Sequence, residues 1–402
     1  MFSDYKNIPH EANLLIYSGI FPNLAYGMFY TDLAYLLTEV RGISTGFMGV
    51  LITLMGVSMV VSSIPFGILA DRYSRKKIMI FANIVASITI ALFALTSDPT
   101  MLVIVSLLEG VSEAAYSAVG SALLADKATD EKRNSVFAFS GFTQYIAFGL
   151  GGFIIPVVAV FEMLGLTMQE SHAVLYVVSA GLALSSTLIM LRVTESRPAQ
   201  ARKMTFRGLY PKNAGLLTKY LLTSVIIAFG AGLIIPLMSV WFQLQYGIPD
   251  TISGPILGIS NLLIGVAALA SPPIARRFGI VKAIALTQGV STIFMLLTPL
   301  SPEFMSASII YSMRSLLMNM ASPLQQSMIM GIVPEGDRGI ASGISSALWR
   351  LPNSLSTSIG AWMLGLGLLS APFYLACVFY LVSILLFWGF FRNTKMPEEM
   401  KK

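Results

Sequence analysis

Five charged residues stand inside long apolar runs of this chain: Asp32, Glu109, Glu113, Arg314 and Arg350. A charge at the centre of a membrane helix costs about 2.5–3.5 kcal/mol, so each needs a partner or a task. Glu109 and Glu113 are four apart and share one helical face, where two carboxylates bind protons as a coupled pair. Asp32 lies in Y-G-M-F-Y-T-D-L-A-Y, flanked by Tyr26, Phe29, Tyr30 and Tyr35. Aromatic walls beside one carboxylate suit a cationic or amphiphilic organic ligand; the structural alternative is a carboxylate bonded to a tyrosine at the outer mouth. Arg350 lies in A-L-W-R-L-P-N, where Pro352 predicts a kink. Either arginine can pair with a buried acid or hold a carboxylate or phosphate of a substrate. Pairing of Arg350 with Glu113, and of Arg314 with Glu109, is the first expectation. Gln144 and Asn261 are lesser polar candidates that serve equally well as helix–helix hydrogen bonders. His10 and His172 fall at membrane edges and receive no role.

The elements that must position these residues are membrane helices. The 402 residues are 55% hydrophobic and 11% charged, with mean hydropathy +0.75. Soluble domains carry about a quarter charged residues, so this is an integral membrane protein, and its runs of 20 or more apolar residues imply an all-α chain rather than a barrel. Twelve spans are predicted, near 14–38, 44–70, 77–97, 101–125, 134–160, 172–192, 216–243, 251–275, 280–300, 304–331, 339–365 and 370–391. With both termini cytoplasmic, 23 of the 26 Lys and Arg fall on the inner side, one (Arg41) on the outer, and two within spans. The net charge of +6 is thus a topology signal and not a nucleic-acid footprint. No cleavable signal peptide is expected, and the single cysteine, Cys377, excludes disulfides.

The spans fall into two six-helix repeats: residues 1–193, a polar cytoplasmic linker at 194–215, and residues 216–402. A constant shift of 205 superimposes Gly27 on Gly232, Gly42 on Gly247, Gly49 on Gly254, Ala70 on Ala275, Arg72 on Arg277, Lys77 on Lys282 and Arg133 on Arg338. The same shift places Glu109 on Arg314, at equivalent depth in opposite repeats.

Between the second and third spans the chain reads G-I-L-A-D-R-Y-S-R-K-K, residues 67–77. This resembles the loop signature of the major facilitator superfamily: Gly67, Asp71, Arg72, Arg75 and Lys76 match, and Ser74 replaces the second glycine. The resemblance implies two six-helix bundles around a central cavity, lined by helices 1, 4, 7 and 10, with helices 3, 6, 9 and 12 facing lipid. Every embedded charge falls on a helix that can reach water. The resemblance also gives Asp71 a role in a cytoplasmic gate, opposite the start of helix 11 near Arg338–Ser342, where a helix dipole favours a carboxylate. Drug exporters of this superfamily often carry an arginine in helix 4; here that position is Ser106, and the helix 5 glycine series is partial (Gly141, Gly149, Gly151, Gly152, Pro156).

The first functional expectation is a proton-coupled exporter of small amphiphilic or cationic organic compounds, with Asp32 and Glu113 binding proton and solute in competition. The alternative is a proton-coupled transporter of organic anions held by Arg314 and Arg350. A membrane sensor would need a larger soluble appendage. Phosphate loops, nucleophile–base pairs and metal-ligand clusters are absent from the sequence pattern, so neither an enzyme nor a cofactor or metal is expected. The partners expected are a small-molecule substrate, protons and the lipid bilayer, for a monomer in the cell membrane.

Overall fold

A computed structural model describes residues 8–129, 133–194, 214–332 and 338–393, and every regular element in them is helical. The α-helices are α1 (His10–Ser18), α2 (Ile20–Tyr35), α3 (Thr45–Arg72), α4 (Arg75–Leu95), α5 (Pro99–Lys127), α6 (Arg133–Gly151), α7 (Val157–Met163), α8 (Met168–Leu191), α9 (Ala214–Gly232), α10 (Met238–Tyr246), α11 (Asp250–Phe278), α12 (Ile280–Leu297), α13 (Phe304–Ile332), α14 (Arg338–Gly365) and α15 (Ala371–Phe391). Seven of the described helical segments are long and apolar enough to cross a membrane. The expected linker lies almost wholly in 195–213, outside the described residues.

Three predicted spans are broken. At the first, α1 and α2 meet at Gly19, and a π-helical turn, Leu36–Val40, follows α2. Turns around Gly151–Pro156 separate α6 from α7. A 3-10 turn carrying Pro236, whose ring cannot donate a ladder hydrogen bond, separates α9 from α10. Pro65, Pro323 and Pro352, by contrast, sit inside continuous helices.

The chain divides into two compact units: Met1–Arg202 with Ile248–Leu262, and Lys203–Gly247 with Leu263–Lys402. Helix α11 therefore begins in the first unit and ends in the second. In the first unit α3 and α4 pack on α5, α4 on α8, and α2 on α6. One of its core clusters joins Ile16 of α1, Met79 of α4, Val119 and Leu123 of α5, and Met190 of α8. In the second unit α9 packs on α14 and α15, and α12 on α13. Tyr220, Ile284, Ala321 and Phe391 belong to a core cluster there.

The repeat persists at atomic detail. A Cβ on Gly27 of α2 would lie 1.9 Å from the Phe148 carbonyl oxygen of α6. A Cβ on Gly232 of α9 would lie 1.9 Å from that of Asn353 in α14. Both partners are displaced by the same 205 positions, so one backbone-to-backbone approach, open only to glycine, is built twice. Facing away from the core, α4, α8, α12 and α15 expose apolar side chains, among them Ile88, Leu188, Ile293 and Leu385. A bilayer is the solvent for such faces.

Candidate functional site

The predicted site residues form three groups. Asp32, on α2, is fully buried, and Tyr176 of α8 donates to its Oδ2 at 2.9 Å. The bonded tyrosine thus comes from another helix, and none of the aromatics expected on its own helix fills that place. His172, one turn before Tyr176, and Asp250, the first residue of α11, close the group: the ligating atoms of Asp32, His172 and Asp250 lie within 4.8 Å of one another. His172 Nε2 is 3.0 Å from Asp250 Oδ2, and its Nδ1 is 2.8 Å from the Met168 carbonyl oxygen. All three side chains belong to the first unit.

The second group is on α5. Glu109 is fully buried and accepts a hydrogen bond from Thr89 of α4. Glu113, one turn on, is half-buried and accepts from Tyr30 of α2 at 2.7 Å. The two carboxylates stand one turn apart on α5, with Thr89 of α4 donating to Glu109 and Tyr30 of α2 to Glu113. Gln144 donates to Ser140 on its own helix at 2.8 Å, and Asn261 is half-buried on α11.

The third group lies in the second unit. Arg314 of α13 is buried; it donates to the Tyr380 hydroxyl of α15, with its guanidinium 5.6 Å from that ring's centre. For both Glu109 and Arg314, a described partner is found inside its own unit. Arg314 and Arg350 stand in the wall of a cavity of about 550 Å³. Gln288, Asn319, Gln325 and Asn353 add amide groups to that wall, and among the described residues no acid lines it.

The sequence profile of the Major Facilitator Superfamily matches residues 15–357 and 220–402. The chain belongs to the Major Facilitator Superfamily. It is 27% identical over 378 residues to the enterobactin exporter EntS of Citrobacter koseri, covering 89% of this chain and 87% of EntS. With the uncharacterized MFS-type transporter YqjV of Bacillus subtilis it shares 25% identity over 207 residues, which spans only 48% of YqjV. Among solved structures, a bacterial homolog of the human lysosomal transporter Spinster superimposes with a TM-score of 0.78 at 12% identity, covering 95% of this chain and 96% of that one. A point mutant of the nucleoside transporter NupG gives 0.77 at 14% identity, covering 95% and 100%. At such identities the structures establish the shared fold alone. These relatives and structural neighbours are named transporters rather than enzymes.

In this superfamily member the signature loop joins α3 to α4. Arg75 donates to Asp126 at the end of α5. Lys76 donates to the carbonyls of Leu191 and Val193, each at 2.8 Å, where a cation meets the negative end of α8. Nearby, Lys127 pairs with Glu11 at 2.6 Å. Gly67 lies within α3 with open space around its Cβ position. The side chains of Asp71 and Arg72, and those at the start of helix α14, lie outside the described part of the structure.

His172, Tyr176 and Asp250 are the residues that sequence reasoning passed over. The spacing of His172 and Tyr176, one turn apart at the start of a span, is the one signal that they share a face. Asp250, after Pro249, reads as an ordinary acidic helix start.

Proposed function

We propose that the protein is a secondary active transporter that exports small organic solutes carrying acidic or other hydrogen-bond-accepting groups. The observation that carries this reading is the cavity of the second unit, whose described wall brings Arg314 and Arg350 together with four amide side chains. Guanidinium groups are forked donors suited to carboxylate or phosphate, and Tyr220, Trp349 and Tyr380 supply flat apolar area beside them. The direction of transport follows the EntS relatives, which are named exporters. A cationic substrate at Asp32 receives no such support, because that carboxylate is enclosed by Tyr176, His172 and Asp250.

The proposed topology is twelve spans with both termini cytoplasmic, as the distribution of Lys and Arg favours. Energy comes from the proton gradient through Glu109 and Glu113, which occupy the first unit as the arginines occupy the second. Ligand and proton need only bias the same two-state gate in opposite senses.

The test is flux in liposomes under an imposed proton gradient, with organic anions and lipophilic cations compared. Anion-driven proton movement that is lost in Arg350→Lys, where the forked geometry disappears, is the expected result. Movement driven by cations alone, unchanged in Arg350→Lys, overturns the substrate assignment.

A further inference from the structure

The group of Asp32, His172 and Asp250 shares no residue with the arginine-lined cavity, and the proposed transport reading assigns it nothing. Its members are 0%, 0% and 2% exposed. They come from α2, α8 and the first turn of α11, so three helices converge on one point. Two carboxylates in an apolar interior are costly unless something positive sits between them.

The hydrogen-bond pattern leaves a place for a proton or a cation between these groups. The Met168 carbonyl can only accept, so His172 Nδ1 must carry a proton and donate to it. In neutral imidazole Nε2 is then a bare lone pair, yet it faces an Asp250 carboxylate oxygen at 3.0 Å. Asp32 Oδ1 is buried and meets no donor among the described residues. Two acceptor atoms and an unpartnered carboxylate oxygen are therefore gathered in one place.

We infer that Asp32, His172 and Asp250 form a binding site for a first-row divalent metal ion of the zinc class. One imidazole nitrogen and two carboxylate oxygens are a ligand set such ions accept, with bonds of about 2.0–2.2 Å. The observed spacing, within 4.8 Å for every pair of ligating atoms, needs only small side-chain adjustments to reach them. A divalent ion neutralises both carboxylates. A single proton on Nε2 would leave one negative charge enclosed. The outer groups are those that orient metal ligands: the Met168 carbonyl fixes the histidine tautomer, and Tyr176 hydrogen-bonds Oδ2 of Asp32, leaving Oδ1 for the ion. The bound ion clamps the start of α11 to α2 and α8.

The test uses tag-free full-length protein in detergent, stripped with chelator and titrated with ZnCl₂ by calorimetry. One ion per chain is expected, with binding weakened at least about tenfold in His172→Ala and Asp250→Asn. His10→Ala, which removes the other histidine, leaves it unchanged. Equal affinity in His172→Ala and the unaltered protein would mark adventitious binding and overturn the site. Titration of the unaltered protein with Co²⁺, read by visible absorption, decides the matter even if the variants fail to fold. Ligand-field bands saturating at one equivalent support the site. Their absence, as for a cluster that holds only protons, overturns it.

Discussion

The two units repeat one helical plan and fill it with opposite charge. In the first, the candidate-site groups are the buried Asp32, Asp250 and Glu109 and the half-buried Glu113, with His172 among them; in the second they are the buried Arg314 and the half-buried Arg350. The repeat position of Glu109 is Arg314, so one position of the repeat carries a carboxylate in one unit and a guanidinium in the other. What stays constant is backbone packing, as at Gly27 and Gly232, and what varies is the side-chain chemistry mounted on it. Scaffold and function can therefore be perturbed separately.

The largest effect is expected where the scaffold is the same in both units. Gly27→Ala and Gly232→Ala each force a methyl into a carbonyl oxygen, at a cost of about 3 kcal/mol or more, the upper range for overpacking. The two should lower the melting temperature by similar amounts, while Gly141→Ala, with open space around it, should not lower it. A large loss for only one of the pair would break the equivalence of the repeats.

The next effect separates the charges. Arg314→Met removes the donor to a fully buried Tyr380 and should destabilise by about 1–3 kcal/mol, with loss of anion flux. Glu109→Gln keeps an acceptor for Thr89, so its cost should stay below about 1 kcal/mol. Its effect should instead be loss of the pH dependence of transport. The same loss from Arg314→Met, with anion binding intact, would exchange the roles assigned to the two units. A smaller effect, about 1 kcal/mol, is expected for Tyr30→Phe, which removes the hydroxyl donating to Glu113. Melting curves of the purified variant check it.

Much of this division was legible in the sequence, because a constant shift of 205 needs no three-dimensional knowledge. It put Gly27 on Gly232 and Glu109 on Arg314, and the loop at 67–77 named the family. The convergence of Asp32, His172 and Asp250 was not legible. Helical period says which residues share a face, but not which faces meet across 140 or 218 positions. The breaks near Gly19, Gly151–Pro156 and Pro236 were also missed, since apolar runs continue through them and hydropathy does not register a turn. For the same reason the boundaries at 193 and 215 give no hint that the first half of α11 groups with the first unit.

The smallest effect concerns the polar end of the first unit, and it sharpens the comparison most cheaply. There, charges are paired: Lys127 with Glu11, and Arg75 with Asp126. At the shift of 205, Glu11, Arg75, Asp126 and Lys127 become Leu216, Ile280, Gly331 and Ile332, so the second unit has no copy of this network. Two of its described cations instead lie over rings, Lys219 over Phe390 at 5.5 Å and Arg277 over Phe278 at 5.4 Å. The hydrogen bond from Lys127 holds the Glu11 carboxyl below its ordinary 4.5, helped by the Thr194 hydroxyl and opposed by slight burial. A depressed carboxylate stabilises the folded state above its unfolded pKa, and that contribution disappears as pH falls through the lower folded value. The Glu11 side chain is still 30% exposed, so solvent screening holds the gain to a few tenths of a kcal/mol, in the range of exposed ion pairs. The difference in melting temperature between the parent and Glu11→Gln should therefore be constant at neutral pH and shrink below about pH 4.5. In Lys219→Met, where the lost contact is with a ring, the corresponding difference should not change over that window. If it did, acid sensitivity would belong to both units and not to the first alone.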